Sequence, residues 1–214
     1  MNHFLYRNGV LHAEEVPVPE IAATVGTPFY CYSTATMTRH YQVLTESLAG
    51  AGAKVCYAVK ANSNQAVIRT MLELGAGADV ISGGELQRAL AAGAKPRDVV
   101  FAGPGKTEAE LVQALKAGIY QFNVESEPEL RLLSAVATEM GKVAPVSIRV
   151  NPDVDAGTHE KITTGRKQNK FGIPIDRAMD VFDLGARLPG LIMLGVAIHI
   201  GSQIVDLTPF EESF

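Results

Sequence analysis

From about Ala53 onward, short apolar runs alternate with longer stretches in which apolar residues recur at helical spacing. This is the pattern of successive βα units feeding a parallel sheet. Six runs read as strands: KVCYAV (54–59), GADVIS (77–82), DVVFAG (98–103), IYQFNV (119–124), PVSIRV (145–150) and LIMLGVAIHI (191–200). Between them, NQAVIRTMLELG (64–75), SGGELQRALAAG (82–93), KTEAELVQALKAG (106–118) and SEPELRLLSAVATEMG (126–141) read as helices. The second and fourth open on Ser, and all four close on Gly, residues suited to helix starts and stops. DRAMDVFDLGARLPG (176–190) adds a fifth helix after a polar loop. The first four strand runs begin about 20 residues apart with no hairpin signal between them, which favours a (β/α)8 barrel over a doubly wound sheet. A closed barrel takes ~250 residues and eight units. Here about six are present, and the sixth helix is barely begun at DLTPFEESF. The expected fold is therefore α/β, an incomplete (β/α)8 TIM-type barrel over residues 34–214, in a chain that is the first part of something longer.

Residues 1–33 break this rhythm. HFLYRNGVLH (3–12) sets Asn8-Gly9 between apolar residues, a two-residue hairpin signal. PEIAATVG (19–26) reads as a short helix and TPFYCYS (27–33) as a strand; TATMTRHYQVLTESLAG (34–50) reads as a helix capped by Ser33 or Thr34. A hairpin needs a sheet to join, and no further strand for it is visible. Residues 1–33 are thus expected to contribute to a second, β-rich domain whose other strands lie past residue 214.

The chain has 214 residues, 47% hydrophobic and 20% charged, as ordinary globular proteins do. With 19 Lys+Arg against 23 Asp+Glu, it lacks the positive field that draws nucleic acid or anionic lipid, so neither is an expected partner. No basic segment followed by an apolar run opens the chain, and LIMLGVAI (191–198) is far short of the ~20 residues of a membrane span. Cys31 and Cys56 are isolated, with no His at ligand spacing, so neither a metal site nor a disulfide framework is indicated. A cytoplasmic location is expected.

In barrel enzymes the functional groups lie at the C-terminal ends of the strands. Here Lys60 follows the first strand run, Ser82 and Glu85 the second, Arg149 and Asn151 close the fifth, and His199 and Ser202 close the sixth. A lysine directly after an apolar strand is expected to be partly desolvated, which lowers its pKa and frees the amine as a Schiff-base nucleophile. The alternative is that its stem packs on the rim while the ammonium reaches water. His199, in AIHIGSQ, is either a core residue or a ring beside an anion site, with Gly201-Ser202 supplying amides and a hydroxyl. Asp79, inside ADVIS, needs Lys60, His199 or a backbone donor as a partner. The polar stretch NPDVDAGTHEKITTGRKQNKFG (151–172) has a length that goes with function or with disorder. GPGKT (103–107) lacks the leading glycine of a phosphate-binding loop, Val100 standing in its place, and reads as a strand-to-helix turn. The five carboxylates between Glu108 and Glu129 read as solvated surface.

YAVKAN, ADVISGGEL, RVNPDVDAGTHEKITTG, NKFG and HIGSQ, in this order and spacing, resemble the diaminopimelate decarboxylases, pyridoxal-phosphate enzymes of the alanine-racemase-like barrel fold. The resemblance runs from about Phe4 to Phe214. HIGSQ and the NPDVDAGTH segment are more typical of this family than of the related ornithine and arginine decarboxylases or racemases. The resemblance implies that Lys60 forms a Schiff base with pyridoxal 5'-phosphate and that His199 stacks on the pyridine ring. It implies further that Gly201 and Ser202 help to hold the phosphate, that Asp79, Glu85 and Arg149 line the pocket, and that Lys170 and its loop border it. The implied reaction is decarboxylation of meso-2,6-diaminopimelate to L-lysine in a homodimer, with the cofactor ring as electron sink. Family members are much longer, and what is not matched here carries a glycine-rich phosphate loop, the acidic partner of the pyridine nitrogen and a cysteine contributed across the dimer interface. Neither Cys31 nor Cys56 lies in a matching motif. The chain alone is thus expected to carry the lysine without a complete active site, and to be inactive. The alternatives are another decarboxylase or racemase of the same fold, or a non-catalytic pyridoxal-phosphate-binding module.

Overall fold

The computed structural model describes residues 3–154, 171–202 and 204–213. It opens with three antiparallel strands, β1 (Phe4–Arg7), β2 (Val10–Ala13) and β3 (Val16–Pro17). Asn8 and Gly9, at φ 50° and 79°, close the β1–β2 hairpin across the Arg7–Val10 pair, the left-handed pair of positions that a type I′ turn requires. β3 was not expected; two residues are too few to show a period. Helix α1 (Val18–Val25) follows, and then α2 (Thr34–Ser47). The strand expected over 27–33 is absent: no ladder forms there, and Tyr30 is 90% exposed. Strand propensity does not make a strand where no neighbour supplies a ladder. Ser33 instead caps α2 by accepting from the Thr36 N–H at 3.0 Å. Its hydroxyl donates to Glu14 Oε1 at 2.7 Å, and the same oxygen accepts from the Ala35 N–H, tying the small sheet to the start of α2.

All six predicted strand runs are strands, five of them shorter than the apolar runs that revealed them and the one at Ala144–Asn151 two residues longer. In chain order the elements are β4 (Cys56–Ala58), α3 (Gln65–Glu73), β5 (Gly77–Val80), α4 (Gly83–Ala91), β6 (Val99–Phe101), α5 (Glu108–Ala117), β7 (Gln121–Val124), α6 (Glu127–Glu139) and β8 (Ala144–Asn151). They continue with β9 (Ile173–Pro174), α7 (Ala178–Arg187), β10 (Leu191–Ile198) and α8 (Thr208–Ser213). The helix starts follow the expected chemistry: Asn64, Ser82, Thr107 and Ser126 each accept a backbone N–H of the first turn. Strand order in the sheet is β4-β5-β6-β7-β8-β10, every pair parallel. A doubly wound sheet reverses its order at a switch point. This order never reverses, so each unit winds onward in one direction, as in a barrel. The two-residue β9, a second element the sequence pattern did not show, pairs with the end of β8.

Side chains alternate between the two faces of each strand. Ala78, Val80, Phe101, Val124 and Ile148 lie at or near zero exposure within the single core shared with the helices. Their neighbours Asp79, Asn123 and Arg149 face the other way. The described residues leave β4 and β10 as the edges of the sheet. At Gly77 the strands approach so closely that a Cβ would stand 2.4 Å from the Asp98 carbonyl oxygen and 2.8 Å from Cys56 Sγ. Gly77→Ala is therefore expected to destabilise the chain by about 1–3 kcal/mol in urea unfolding. Gly195→Ala in β10, where a Cβ would meet nothing within 4 Å, is expected to change it by less than about 0.5 kcal/mol. Equal effects at the two positions would contradict the packing described.

Candidate functional site

The C-terminal ends of the six parallel strands form one rim, and a cavity of about 360 Å³ opens there. Its polar lining is Lys60, Asp79, Asn123, Arg149 and His199, with Cys56 below and Val100, Ala102 and Ile198 as apolar wall. Four of the seven site residues expected from the sequence thus come together, each from a different strand end: β4, β5, β8 and β10.

Lys60 sits in a 3-10 turn (Val59–Ala61) directly after β4, and the Tyr57 hydroxyl latches this turn by donating to the Asn62 carbonyl at 3.0 Å. The residue is exposed rather than desolvated. Among the described residues β4 is an edge of the sheet, with no strand paired on its outer side. Asp79 is a group whose proton affinity shifts. Its Oδ1 is buried and receives no hydrogen bond, and burial, the largest cause, raises its pKa to about 6. Lys60 opposes that shift without forming an ion pair, and the Glu85 carboxylate adds to it. Arg149 Nη1 donates to Glu125 Oε1 at 2.7 Å, and its guanidinium stands 5.6 Å from the centre of the Phe171 ring. Burial lowers the His199 pKa, and the Arg149 and Lys60 cations lower it further. The imidazole is therefore mostly neutral at neutral pH.

Glu85, Gly201 and Ser202 do not line the cavity. The Glu85 carboxylate accepts the Ile81 N–H at 2.8 Å, while its own N–H donates to the Ser82 hydroxyl, so it closes the start of α4 just behind Asp79. Gly201 and Ser202 lie just past His199 at the exit of β10, half-buried and exposed respectively. Residues 155–170 of the polar loop, Lys170 among them, and Gln203 lie outside the described residues.

Sequence reasoning missed a second layer of charge. Two of the five carboxylates read as solvated surface are buried: Glu125 holds Arg149, and Glu129 pairs with Lys106 of the GPGKT turn at 2.8 Å. Burial raises the Glu129 pKa, and the Lys106 ammonium opposes that shift. The signal for Glu125 was present, because it follows an apolar strand run directly, as Lys60 does. For Lys106 the signal was the tight turn: Gly103 and Gly105, at φ 85° and 74°, bring the chain back beneath the rim. Among the described residues, no group of three or more His, Cys, Asp or Glu is placed to hold a metal ion, and no helix is long and apolar enough to cross a membrane.

A family profile described as "Pyridoxal-dependent decarboxylase, pyridoxal binding domain" matches residues 34–214. Diaminopimelate decarboxylase of Vibrio cholerae is 52% identical over 214 residues, all of this chain and 51% of that protein. The Pseudomonas aeruginosa diaminopimelate decarboxylase is 51% identical over 213 residues, again with 51% of its length covered. A crystal structure of the Helicobacter pylori diaminopimelate decarboxylase complexed with L-lysine superposes with a TM-score of 0.89 at 42% identity, over 92% of this chain and 50% of that one. The chain thus spans about half the length of the relatives it matches.

A carboxyl group whose pKa is raised on folding keeps its proton in the native state while the unfolded chain loses it. Stability therefore falls as pH rises from the unfolded value of 3.8 to the folded value of about 6. At about 1.4 kcal/mol per unit, the loss has an upper bound of roughly 3 kcal/mol. Asp79→Asn removes it, so the unfolding free energy of this variant is expected to gain on the parent between pH 4 and 6.5 and then run level. Chemical denaturation across that range measures the difference, and parallel profiles would contradict the assignment.

Proposed function

The chain belongs to the pyridoxal-dependent decarboxylase family, as its pyridoxal binding domain, and from that premise we propose that the rim cavity holds pyridoxal 5'-phosphate and that the protein decarboxylates meso-2,6-diaminopimelate to L-lysine. The observation that carries this reading is the convergence of Lys60, Asp79, Arg149 and His199 on one cavity from four strand ends. The donor set suits the cofactor. It comprises an accessible amine, a carboxylate with a buried oxygen lacking a partner, a fixed guanidinium and a neutral imidazole beside apolar wall. When bound, the pyridoxal ring supplies an electron sink for the pair released as the substrate's carboxylate departs as carbon dioxide.

Each residue then has a role. Lys60 would hold the cofactor covalently through Nζ. His199, kept neutral by burial and by the two nearby cations, lays its ring against the cofactor. Asp79 offers an oxygen with no other partner, protonated or not according to pH around 6, and Glu85 behind it biases that proton. Arg149 brings positive charge to the wall while Glu125 fixes its position. Gly201 and Ser202, past His199, hold the phosphate with backbone amides and a hydroxyl. L-lysine bound to the Helicobacter pylori enzyme supports an amino acid with a second amine as product. Residues 34–214 form the cofactor-binding part of the barrel, and residues 1–33 belong to a β-rich unit. The functional form is a cytoplasmic homodimer.

The protein loaded with pyridoxal phosphate is expected to release carbon dioxide from meso-diaminopimelate, with L-lysine as the other product, and to release none from ornithine or arginine. Lys60→Ala should lower that rate by about 10²–10⁴-fold or more. Release from ornithine or arginine at a matching rate would overturn the substrate assignment, and an undiminished Lys60→Ala would overturn the role of the lysine.

A further inference from the structure

We propose that Lys106, the lysine of the GPGKT turn, is a positioning residue that fixes where Arg149 stands in the cavity; the proposal rests on reading that cavity as the cofactor site. The Lys106 side chain is 1% exposed. An ammonium has three N–H donors, and all three are engaged: with the Gly103 carbonyl at 2.7 Å, the Asn123 carbonyl at 2.7 Å and Glu129 Oε1 at 2.8 Å. None is left for a ligand, so Lys106 acts only through what it holds. Two of those partners, Gly103 and Asn123, line the cavity, at the ends of β6 and β7. The third continues the chain. Glu129 Oε2 accepts the Glu125 N–H at 3.3 Å, and Glu125 Oε1 accepts from Arg149 Nη1 at 2.7 Å, at the end of β8. One buried cation thus ties three successive strand ends to each other.

Glu125 grips Arg149 with a single oxygen, since Oε2 is buried without a hydrogen-bond partner. A one-point grip does not fix the guanidinium unless the backbone of Glu125 is itself fixed, and the Glu129 carboxylate, held by Lys106, does that. A buried ion pair is a poor way to gain stability alone, because well-packed apolar residues of similar volume serve as well or better. That difference separates positioning from mere structure.

The test compares the parent chain with Lys106→Met, Glu129→Gln and the double variant Lys106→Met/Glu129→Leu. Thermal unfolding reads stability, an absorbance titration with pyridoxal phosphate reads affinity, and amide exchange in the cofactor-free chain reads the Glu125 N–H and the end of β8. The single variant Lys106→Met should lose both stability and affinity. The double variant should recover most of the melting temperature and yet bind about tenfold more weakly, with faster exchange confined to residues 121–126 and 147–151. A double variant that recovers affinity and exchange along with stability overturns the proposal. If the double variant does not fold, Glu129→Gln decides: it keeps shape and one acceptor, and parental affinity and exchange in it overturn the proposal equally. A parent chain that takes up no cofactor would defeat the reading of the cavity instead, and the exchange comparison would still decide the role of Lys106.

Discussion

Six strands running parallel and in sequence order constrain the rest of the molecule, because that arrangement puts every C-terminal strand end on one rim. Since side chains alternate along a strand, each strand serves the core and the cavity at once. β5 gives Ala78 and Val80 to the core and Asp79 to the cavity, while β8 gives Ile148 and Val150 to the core and Arg149 to the cavity. Burying one side chain of the size of Ile148 is worth about 1.5–3 kcal/mol, more than an exposed ion pair contributes. The apolar positions therefore set the register, and the polar positions between them are delivered to the rim as a consequence. A slip of one residue in any strand would exchange the two sets.

Charge at the rim is arranged in layers. At the cavity surface stand an exposed Lys60, a half-buried Asp79 and a neutral His199, all positions where a ligand can change the balance. Beneath them, Arg149–Glu125 and Lys106–Glu129 are closed pairs with little exposure. Removing one partner of such a pair costs about 3–5 kcal/mol, because the other is left charged and dry. The lower layer is thus closed among its own members, and the upper layer is open to a ligand.

Much of this was legible in the sequence. The six apolar runs, the Ser caps at Ser33, Ser82 and Ser126 and the Asn8-Gly9 turn are local signals, and each produced the element it announced. What stayed hidden depends on distant neighbours. β3 and β9 are two residues each, too short for periodicity, and they exist because β2 and β8 offer a ladder. Residues 27–33 have strand-forming composition but no partner. Glu125 and Glu129 looked like surface because their charge is visible in the sequence and their cations, Arg149 and Lys106, lie 24 and 23 residues away. The partial desolvation expected for Lys60 failed for a related reason, since it assumed cover over β4 that the described residues do not supply. Lys60, Arg149 and His199, expected from their places at strand ends, and Asp79, expected from a carboxylate inside an apolar run, all line the one cavity, whereas Ser82, Glu85 and Ser202, chosen by the same strand-end rule, do not.

On the proposed reading, Lys60 and no other lysine is the residue to which the pyridoxal cofactor is joined. The most direct measurement is to incubate the chain with pyridoxal phosphate, reduce with borohydride, digest, and map the modified residue by mass spectrometry. A single adduct is expected on the peptide containing Lys60, abolished by omitting the cofactor. An adduct on Lys54 or Lys106, or modification scattered over the surface lysines with Lys60 unlabelled, would contradict that reading.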